Sequence, residues 1–241
     1  MNAKRTRLDQ YLVNKKLAPS RSQAENYINL GHVQVNGQVV TKPGYNVKYA
    51  DKIKLTSDEQ YVSRAGLKLA SVASDLDFNF RDKVVLDVGS STGGFTDYAL
   101  QHGAKKIIAV DVGTSQLHPS LAGHPKIELH EQTDIRAFRG QTQGIDITLI
   151  DVSFISIKEV LLYLPKLITK KTVIVAMVKP QFEVGGLAKH KGVIKNSSMR
   201  RLVLKKFEKW VGDKYKIISK ADSKIPGVKG NLERFYLLRI I

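Results

Sequence analysis

Apolar and polar positions follow two different patterns along the chain, and the change falls near residue 60. The first part combines apolar residues at helical spacing with a short strand-like alternation, whereas later strand-type and helix-type runs follow one another repeatedly. We therefore predict a small α+β domain at residues 1–58, a linker at residues 59–64 and a large α/β domain at residues 65–241.

The predicted small domain begins with apolar residues at helical spacing, namely Leu8, Tyr11, Leu12 and Leu17. Ser20 is the predicted N-cap of a second helix, and Gly31 is its predicted stop. The buried face of that helix is predicted to contain Ala24, Tyr27, Ile28 and Leu30. The segment His32–Val40 then alternates around Asn36-Gly37, a pair typical of a type I′ hairpin turn, and Lys52–Leu55 predicts a last strand.

The predicted large domain contains seven runs of strand type. They are Lys83–Asp87, Lys105–Asp111, Ile127–His130, Ile145–Asp151, Thr172–Val178, Tyr215–Ser219 and Arg234–Ile240. Helical patterns fall between them, for example at Phe95–His102, Ser156–Leu164 and Ser198–Val211. This alternation predicts a doubly wound, mostly parallel seven-stranded sheet with helices on both faces. The last two runs have no clear helix between them and could pair as an antiparallel hairpin at the sheet edge.

Composition narrows the possible partners of this protein. The chain has 241 residues, 42% of them apolar, and a formal net charge of +17, which favours polyanions through phosphate neutralisation. A basic surface can also serve solubility alone. The absence of cysteine excludes a disulfide framework and a thiolate metal site. We see no secretion signal and no apolar run of membrane-spanning length, so we expect a cytoplasmic protein without a membrane partner.

A glycine-rich turn, VLDVGSSTGGFT, joins the first strand of the large domain to a helix. Glycines let a ligand approach the backbone closely, and a carboxylate can accept hydrogen bonds from it. The candidate cofactor-binding residues of this turn are Asp87, Gly89, Ser90, Gly93, Gly94 and Phe95. Their spacing differs from the G-x-G-x-x-G of a nicotinamide site, and no phosphate-binding P-loop is present.

Two further acids follow the next strands and are also candidate cofactor-binding residues. Asp111 lies where a carboxylate can bind the two ribose hydroxyls of a nucleoside, a role that dehydrogenases and methyltransferases share. Asp134 could accept a hydrogen bond from an adenine amino group, or could equally be a helix N-cap. His190 has no partner at metal-ligand spacing, and we expect no required metal.

Four charged residues lie where open α/β folds bind ligands. Asp151 and Lys179 end the fourth and fifth predicted strands, Glu233 precedes the last strand, and Lys68 lies on the first helix of the large domain. Singly, each could be a surface charge or part of a weak ion pair. As an ordered set beside the glycine-rich turn, they indicate a catalytic site. The following segment Phe182–Lys195 is predicted to be a basic loop that closes over an RNA backbone, or equally a solvated loop.

The first part of the chain resembles the S-four RNA-binding domain, in the order R-L-D, S-R-S-x-A, G-x-V-x-V-N-G and D-x-I. This resemblance implies that a helical face bearing Arg5 and Arg21 contacts RNA. We add Arg64 and the loop residues Lys189 and Lys191 as candidate RNA-binding residues.

The turn D-x-G-x-x-x-G-G resembles motif I of the class I methyltransferases, and its GGF-T ending resembles the FtsJ-type ribose methyltransferases. The four charged residues resemble the Lys-Asp-Lys-Glu tetrad of 2′-O-methyltransferases. This implies S-adenosylmethionine as cofactor, Lys179 as the residue that draws the hydroxyl proton, Asp151 and Glu233 as groups that orient the lysines, and Lys68 as a substrate-positioning residue. Because a lysine is ordinarily charged at neutral pH, we hypothesise that the positive cofactor makes Lys179 basic; alternatively, Lys179 stays charged and stabilises the alkoxide.

The order of parts resembles the TlyA family, also known as haemolysin A. The matching segments are the S-four pattern, YVSRAGLKL, GGFTD, VDVG, LIDVSFIS, VKPQFE and a final E-R-F. The resemblance implies 2′-O-methylation of a cytidine in ribosomal RNA, with ribosomal RNA or ribosomal subunits as partners. A non-catalytic RNA-binding or ribosome-assembly factor is the alternative. A membrane-lysing toxin fits less well, because the sequence shows no membrane span and no long basic amphipathic helix.

Overall fold

The computed structural model describes residues 6–18, 21–48, 50–55, 60–140, 143–184, 193–194, 196–227 and 230–241. The chain divides into two compact units, Met1–Arg64 and Ala65–Ile241. In the described ranges, no helix has the length and apolar character needed to cross a membrane.

The described part of the small unit contains two helices and five short strands. They are β1 (Thr6–Arg7), α1 (Leu8–Asn14), α2 (Arg21–Leu30), β2 (Val33–Val35), β3 (Gln38–Val39), β4 (Asn46–Val47) and β5 (Ile53–Leu55). Strand β2 lies between β3 and β5 in an antiparallel sheet, and β1 pairs with β4. Its core includes the fully buried residues Leu8, Leu12, Ala24, Ile28 and Val33.

Local sequence signals predicted the hairpin turn and the end of α2 in this unit, but they did not predict where α1 ends. The hairpin turn at Asn36-Gly37 is confirmed, because both residues have positive φ (53° and 81°), as a type I′ turn requires. Gly31, with φ of 79°, follows the end of α2 as predicted. The prediction that Leu17 continues the stripe of α1 is wrong. Lys16 adopts a left-handed conformation after the helix has ended, and Leu17 is 42% exposed. Ser20 and the side chain of Leu30 lie outside the described residues.

The large unit contains a seven-stranded sheet with helices between its strands. In chain order the elements are α3 (Arg64–Leu76), β6 (Val84–Val88), α4 (Gly94–Gln101), β7 (Lys106–Val110), β8 (Ile127–His130), β9 (Ile147–Ile150), α5 (Ile157–Tyr163), a 3₁₀ turn (Leu164–Lys166), β10 (Val173–Val178), α6 (Pro180–Glu183), α7 (Ser197–Gly212), β11 (Tyr215–Asp222) and β12 (Arg234–Ile240). The strand order is β11-β12-β10-β9-β6-β7-β8. The predicted seven-stranded, mostly parallel sheet and its terminal antiparallel hairpin are confirmed.

The direction of the strands creates two chemically different edges. Strands β6, β7, β9 and β10 run in parallel, so Val88, Val110, Ile150 and Val178 end at one edge, which we call the carboxyl edge. Strand β12 is antiparallel to β10 with Val178 paired to Arg234, and it therefore starts at that edge. The opposite edge, where the parallel strands begin, is the amino edge. Because β6 and β9 are buried almost throughout, only their ends can present polar side chains to a ligand.

Candidate active site at the carboxyl edge

The turn between β6 and α4 depends on two glycines with positive φ. Gly89 has φ of 82°, and a Cβ there would lie 2.7 Å from the backbone oxygen of Asp151. Gly93 has φ of 90°, and its Cβ would lie within 2.8 Å of the side chains of Leu117 and Leu121. Any other residue would be strained and would push apart the loops at this edge. Gly93 therefore shapes the turn and packs against leucines.

A cleft of about 350 Å³ opens at the carboxyl edge, among the loops that follow β6, β7, β8 and β9. Four of the predicted cofactor-site and catalytic residues line it: Gly89, Asp111, Asp134 and Asp151. Its apolar walls include Val88, Val110, Ile135, Val152 and Ile155. Convergent carboxylates within apolar walls, in a volume of this order, are typical of small-molecule sites.

The two acids that follow β7 and β8 organise the loops around the cleft. Asp111 accepts hydrogen bonds from the backbone N–H groups of Ser91 (2.8 Å) and Gly113 (2.7 Å). Asp134 accepts hydrogen bonds from the backbone N–H (2.8 Å) and the guanidinium of Arg136, and that guanidinium lowers the pKa of the Asp134 carboxyl. No described helix begins at Asp134, which caps a turn instead. Each carboxylate oxygen has two lone pairs, so both groups keep capacity for a ligand.

Two predicted residues of the glycine-rich turn are buried and do not line the cleft. Asp87 is inaccessible to solvent and accepts a hydrogen bond from Thr96 Oγ1 at 2.6 Å. Burial raises the pKa of Asp87 to about 7. Among the described residues, its Oδ1 and the hydroxyl of Ser90 have no hydrogen-bond partner. These buried polar atoms beside the cleft fit a site built for a polar ligand.

Gly94 and Phe95, two further predicted cofactor-site residues, begin α4 and are buried. The ring of Phe95 packs against that of Phe235, with 6.0 Å between centroids. This contact joins α4 to β12 and helps to fix the start of the helix. Neither residue lines the cleft.

Asp151 and Lys179 form an ion pair at the rim of the cleft. Lys179 Nζ lies 2.5 Å from Asp151 Oδ1 and donates a hydrogen bond to Ser153 Oγ at 2.7 Å. Asp151 directly follows β9 and Lys179 directly follows β10, its parallel neighbour. Both side chains are largely shielded, with exposed fractions of 16% and 12%. Ser153 was not predicted as a site residue, because a single serine in a loop has no diagnostic spacing.

Lys68 and Glu233 form a second, more buried ion pair. Lys68 Nζ on α3 lies 3.1 Å from Glu233 Oε1, and the side chains are 11% and 3% exposed. Glu233 Oε2 is buried without a hydrogen-bond partner among the described residues. A Cβ at Gly227 would lie 2.8 Å from Glu233 Oε1, so this glycine leaves room for the carboxylate.

The sheet register brings the two ion pairs to neighbouring positions. Val178 pairs with Arg234, so Lys179 and Glu233 occupy the next positions on two adjacent strands. Adjacent strands lie about 4.8 Å apart. The four charged residues identified from sequence thus meet at the carboxyl edge as two lysine–carboxylate pairs.

Glu233 does not pair with its sequence neighbour Arg234. Arg234 donates to Asp222 from Nε (2.7 Å) and Nη2 (2.9 Å). Asp222 also pairs with Arg200, whose Nε donates to the backbone oxygen of Leu232 at 2.9 Å. This network anchors the backbone on both sides of Glu233 and leaves its carboxylate to Lys68.

An exposed aromatic side chain lies beside the Asp151–Lys179 pair. Phe154 lines the cleft, is 89% exposed and has φ of 69°, which is unfavourable for a bulky residue. Its ring contacts that of Phe182, with 5.4 Å between centroids. The adjacent Glu183 is held by hydrogen bonds from Ser156 Oγ (2.6 Å) and the backbone N–H of Ile157 (2.8 Å), and burial raises its pKa. Glu183 thereby ties α6 to the loop that carries Phe154.

The candidate RNA-binding residues are only partly described. In the small unit, Arg7 forms a bidentate pair with buried Asp9 (3.0 and 2.7 Å), and Arg21 joins it at 3.2 Å. The hydrogen bonds from Arg7 lower the pKa of Asp9 to about 2. The R-L-D start is therefore a structural ion pair, while Arg21 stays 61% exposed. Arg64 is the half-buried first residue of α3. The other candidates and their loop neighbours, Arg5, Lys189, His190, Lys191 and Lys195, lie outside the described residues.

The fold and the carboxyl-edge cleft define a Rossmann-like methyltransferase domain, and comparison with known proteins agrees. The family model for FtsJ-like methyltransferases matches residues 61–240, and the S4 domain model matches residues 6–53. A Campylobacter jejuni protein named 23S rRNA (cytidine-2′-O)-methyltransferase TlyA is 37% identical, covering 94% of this chain and 96% of its own. Hemolysin A of Brachyspira hyodysenteriae is 36% identical, covering 98% and 99%.

A solved structure resembles nearly the whole chain as well. It is a candidate hemolysin from Streptococcus thermophilus, 34% identical, with a TM-score of 0.75 over 98% of this chain and 88% of that one. The chain belongs to the TlyA/hemolysin A family of FtsJ-like methyltransferases. The resemblances found in the sequence to the S-four domain, the FtsJ-type enzymes and this family are therefore confirmed.

Proposed function

We propose that this protein transfers a methyl group from S-adenosylmethionine to the ribose 2′-hydroxyl of a cytidine in ribosomal RNA. The observation that carries the proposal is the convergence of the Lys179–Asp151 and Lys68–Glu233 pairs beside a nucleoside-sized cleft. The name of the Campylobacter jejuni relative supports cytidine and ribosomal RNA as the target class. Such a reaction would take place in the cytoplasm, on ribosomal RNA or ribosomal subunits.

The cleft residues fit the proposed cofactor. The carboxylates of Asp111 and Asp134 would hold the polar groups of its nucleoside, and the apolar walls would enclose the adenine ring. Gly89 would let it approach the backbone, while Asp87 Oδ1 and Ser90 Oγ are polar atoms behind the turn that have no hydrogen-bond partner among the described residues. When bound, S-adenosylmethionine supplies an electrophilic methyl carbon on a positively charged sulfur.

Lys179 would act on the ribose hydroxyl, either as a proton acceptor or as a positive charge that stabilises the alkoxide. An ammonium group has three N–H donors, and those of Lys179 are directed by two described partners, Asp151 and Ser153. One donor position is left for the ribose oxygen. As an ammonium, Lys179 would use this N–H to stabilise the alkoxide as it forms; as a neutral amine, it would carry its lone pair at this position and take the hydroxyl proton. In both roles Asp151 and Ser153 fix the amine, so that the oxygen meets it in one orientation.

Lys68 and Glu233 would position the substrate from the other side. Glu233 holds Lys68, and its second oxygen lacks a partner among the described residues, so it can accept a hydrogen bond from a ribose hydroxyl. A buried charged pair with one unused acceptor is costly unless a ligand completes it.

Phe154 gives the cleft a surface suited to a nucleotide base. Sequence-specific RNA recognition often stacks an unpaired base on an aromatic ring. The exposed ring of Phe154 stands next to Ser153 and is supported by Phe182. We assign it as the stacking partner of the target base. Arg5, Arg21, Arg64, Lys189 and Lys191 would contact the RNA backbone elsewhere.

The test is methyl transfer from labelled S-adenosylmethionine onto ribosomal RNA and ribosomal subunits that lack the modification, followed by nucleoside analysis. The proposal predicts label in 2′-O-methylcytidine at a defined position. RNA binding without label in any RNA or subunit preparation would favour the non-catalytic ribosome-assembly factor instead. Label on a base would keep the enzyme class but reject the ribose target.

A further inference from the structure

The amino edge of the sheet carries a second cleft that the methyl-transfer site does not use. Its basic lining residues are Lys83, Lys171, Lys216 and Arg239. Each lies at the end of a different strand: Lys83 directly precedes β6, Lys171 lies two residues before β10, Lys216 is the second residue of β11 and Arg239 is the penultimate residue of β12. Two acids, Asp77 and Asp146, also line the cleft, so the charge there is predominantly positive.

Lys216 and Arg239 face each other directly across the antiparallel pair of β11 and β12. Side chains at directly opposed positions lie on the same face with Cβ atoms about 5 Å apart, and like charges there are destabilising. No described carboxylate lies within ion-pair distance of Lys171, Lys216 or Arg239. Asp146 is engaged by Lys83 at 3.7 Å and by the backbone N–H of Val84 at 2.9 Å.

A fold that keeps two opposed cations, with no described carboxylate within ion-pair distance of either, retains a local cost, which a bound anion would remove. We propose that this amino-edge cleft is a second RNA-binding surface, which holds backbone phosphates of the RNA whose ribose is methylated at the carboxyl edge. The inference rests on the proposed RNA substrate. Exposed lysine and arginine groups from four strand ends suit a run of phosphates, which are contacted without reading sequence.

The two sites lie at opposite ends of the same strands. Strands β6 and β10 contain five and six residues, so they rise roughly 16–20 Å between the edges. An RNA that occupies both sites must therefore extend along or fold around the domain. This requirement selects a structured RNA over a short single strand, since only an extended target gains the second contact.

The test compares the full-length wild type with the double variant Lys216→Ala/Arg239→Ala. The matched control is Lys205→Ala/Lys209→Ala, which removes the same charge from exposed positions of α7 outside the cleft. Binding of unmodified ribosomal RNA is measured by filter binding over a salt series. For the cleft variant we expect an apparent Kd about tenfold weaker and a salt slope smaller by about 1.5, because two phosphate contacts are lost. The control should change both values by less than half as much.

Two further readouts separate binding from folding and from chemistry. Removal of two opposed cations should leave the melting temperature of the cleft variant equal or higher, and methyl transfer at saturating RNA should stay within twofold of wild type. If the double variant loses stability, Lys171→Ala alone tests the same cleft, with an expected salt slope smaller by about 0.8.

Unchanged affinity and salt slope in the cleft variants would overturn the inference, and so would an equal loss in the α7 control. Unchanged binding of naked RNA with reduced methylation of assembled subunits would also overturn it, and would indicate an acidic protein segment as occupant. Absence of methyl transfer by the wild type would reject the proposed function alone, because RNA binding is measured independently.

Discussion

The two edges of the central sheet place their charges in opposite ways. At the carboxyl edge each lysine has a carboxylate partner, Lys179 with Asp151 and Lys68 with Glu233. At the amino edge, Lys216 faces Arg239, and no described acid neutralises either one. Paired charges in a shielded site hold their side chains in fixed positions, which chemistry requires. Unpaired, exposed cations stay adaptable and suit the phosphates of a polyanion.

The difference in charge pairing between the two edges also affects the stability of the protein. Removal of one partner from a buried pair leaves a charge without compensation, whereas removal of one of two opposed cations relieves repulsion. The same type of substitution should therefore have opposite consequences at the two edges.

The largest effect is expected for Lys179→Ala. Loss of the amine that we propose to face the ribose oxygen should reduce methyl transfer about a thousandfold, because proton transfer and alkoxide stabilisation would both be lost. RNA affinity should stay within twofold, since the amino edge is unchanged. Single-turnover transfer of labelled methyl groups and a parallel binding titration measure the two quantities. A Lys179→Ala variant with more than a tenth of wild-type activity would remove this residue from the chemistry.

Lys68→Met tests the buried Lys68–Glu233 ion pair, and a matched substitution of an unpaired lysine at the amino edge is the comparison. Lys68→Met leaves Glu233 buried without its cation, and we expect a loss of about 3–5 kcal/mol in the free energy of unfolding. The matched variant Lys216→Met should be neutral or slightly stabilising. Urea denaturation of both proteins measures the difference. The double variant Lys68→Met/Glu233→Leu should recover much of the loss, and equal losses in the single and double variants would contradict a coupled pair.

Asp87→Asn tests a buried carboxyl at the carboxyl edge that forms no ion pair with any described cation. Burial raises the pKa of Asp87 to about 7, so the folded state binds a proton that the unfolded state releases near pH 4. Wild-type stability should therefore fall as the pH rises from about 4 to about 7, by up to roughly 4 kcal/mol. Asparagine can still accept the hydrogen bond from Thr96 and has no such titration. Thermal unfolding should show a variant more stable than wild type at pH 8 but not at pH 4. Parallel pH profiles would show that Asp87 does not titrate in this range.

Phe154→Ala tests the substrate side of the carboxyl edge and should have the smallest effect of the four. Loss of a stacked base costs about 1–3 kcal/mol, so the KM for RNA should rise about tenfold with kcat less affected. Phe154→Tyr keeps the aromatic face and is the control. Stability should not fall, because the ring is exposed and its backbone conformation is unfavourable. Equal KM values for the alanine and tyrosine variants would exclude stacking.

Sequence patterns predicted the sheet well, because strands such as Ile127–His130 and the hairpin turn at Asn36-Gly37 are encoded by local periodicity and turn chemistry. Leu17 was misassigned, since a left-handed residue at Lys16 ends the helix before the stripe does. Periodicity contains no signal for such a backbone reversal.

The charged positions at strand ends were also predictable, but their pairings were not. The partnership of Lys68 with Glu233 depends on a glycine at Gly227 and on the register of β10 against β12, and neither has a local sequence signal. Ser153, Phe154 and Glu183 were missed for the same reason. In the glycine-rich turn, Gly89 lines the cleft, whereas Gly93 packs against Leu117 and Leu121 and does not line it.

The carboxyl edge is proposed to methylate a ribose hydroxyl, and the substitution of a single atom in the RNA is a decisive test of this chemistry. Once the target cytidine has been mapped, an RNA with 2′-deoxycytidine at that position is compared with the unmodified RNA in labelled methyl transfer. We predict equal affinity for both RNAs and no label in the deoxy substrate. Label retained at that nucleotide would rule out the ribose hydroxyl as the target, because the methyl group would then lie on another atom.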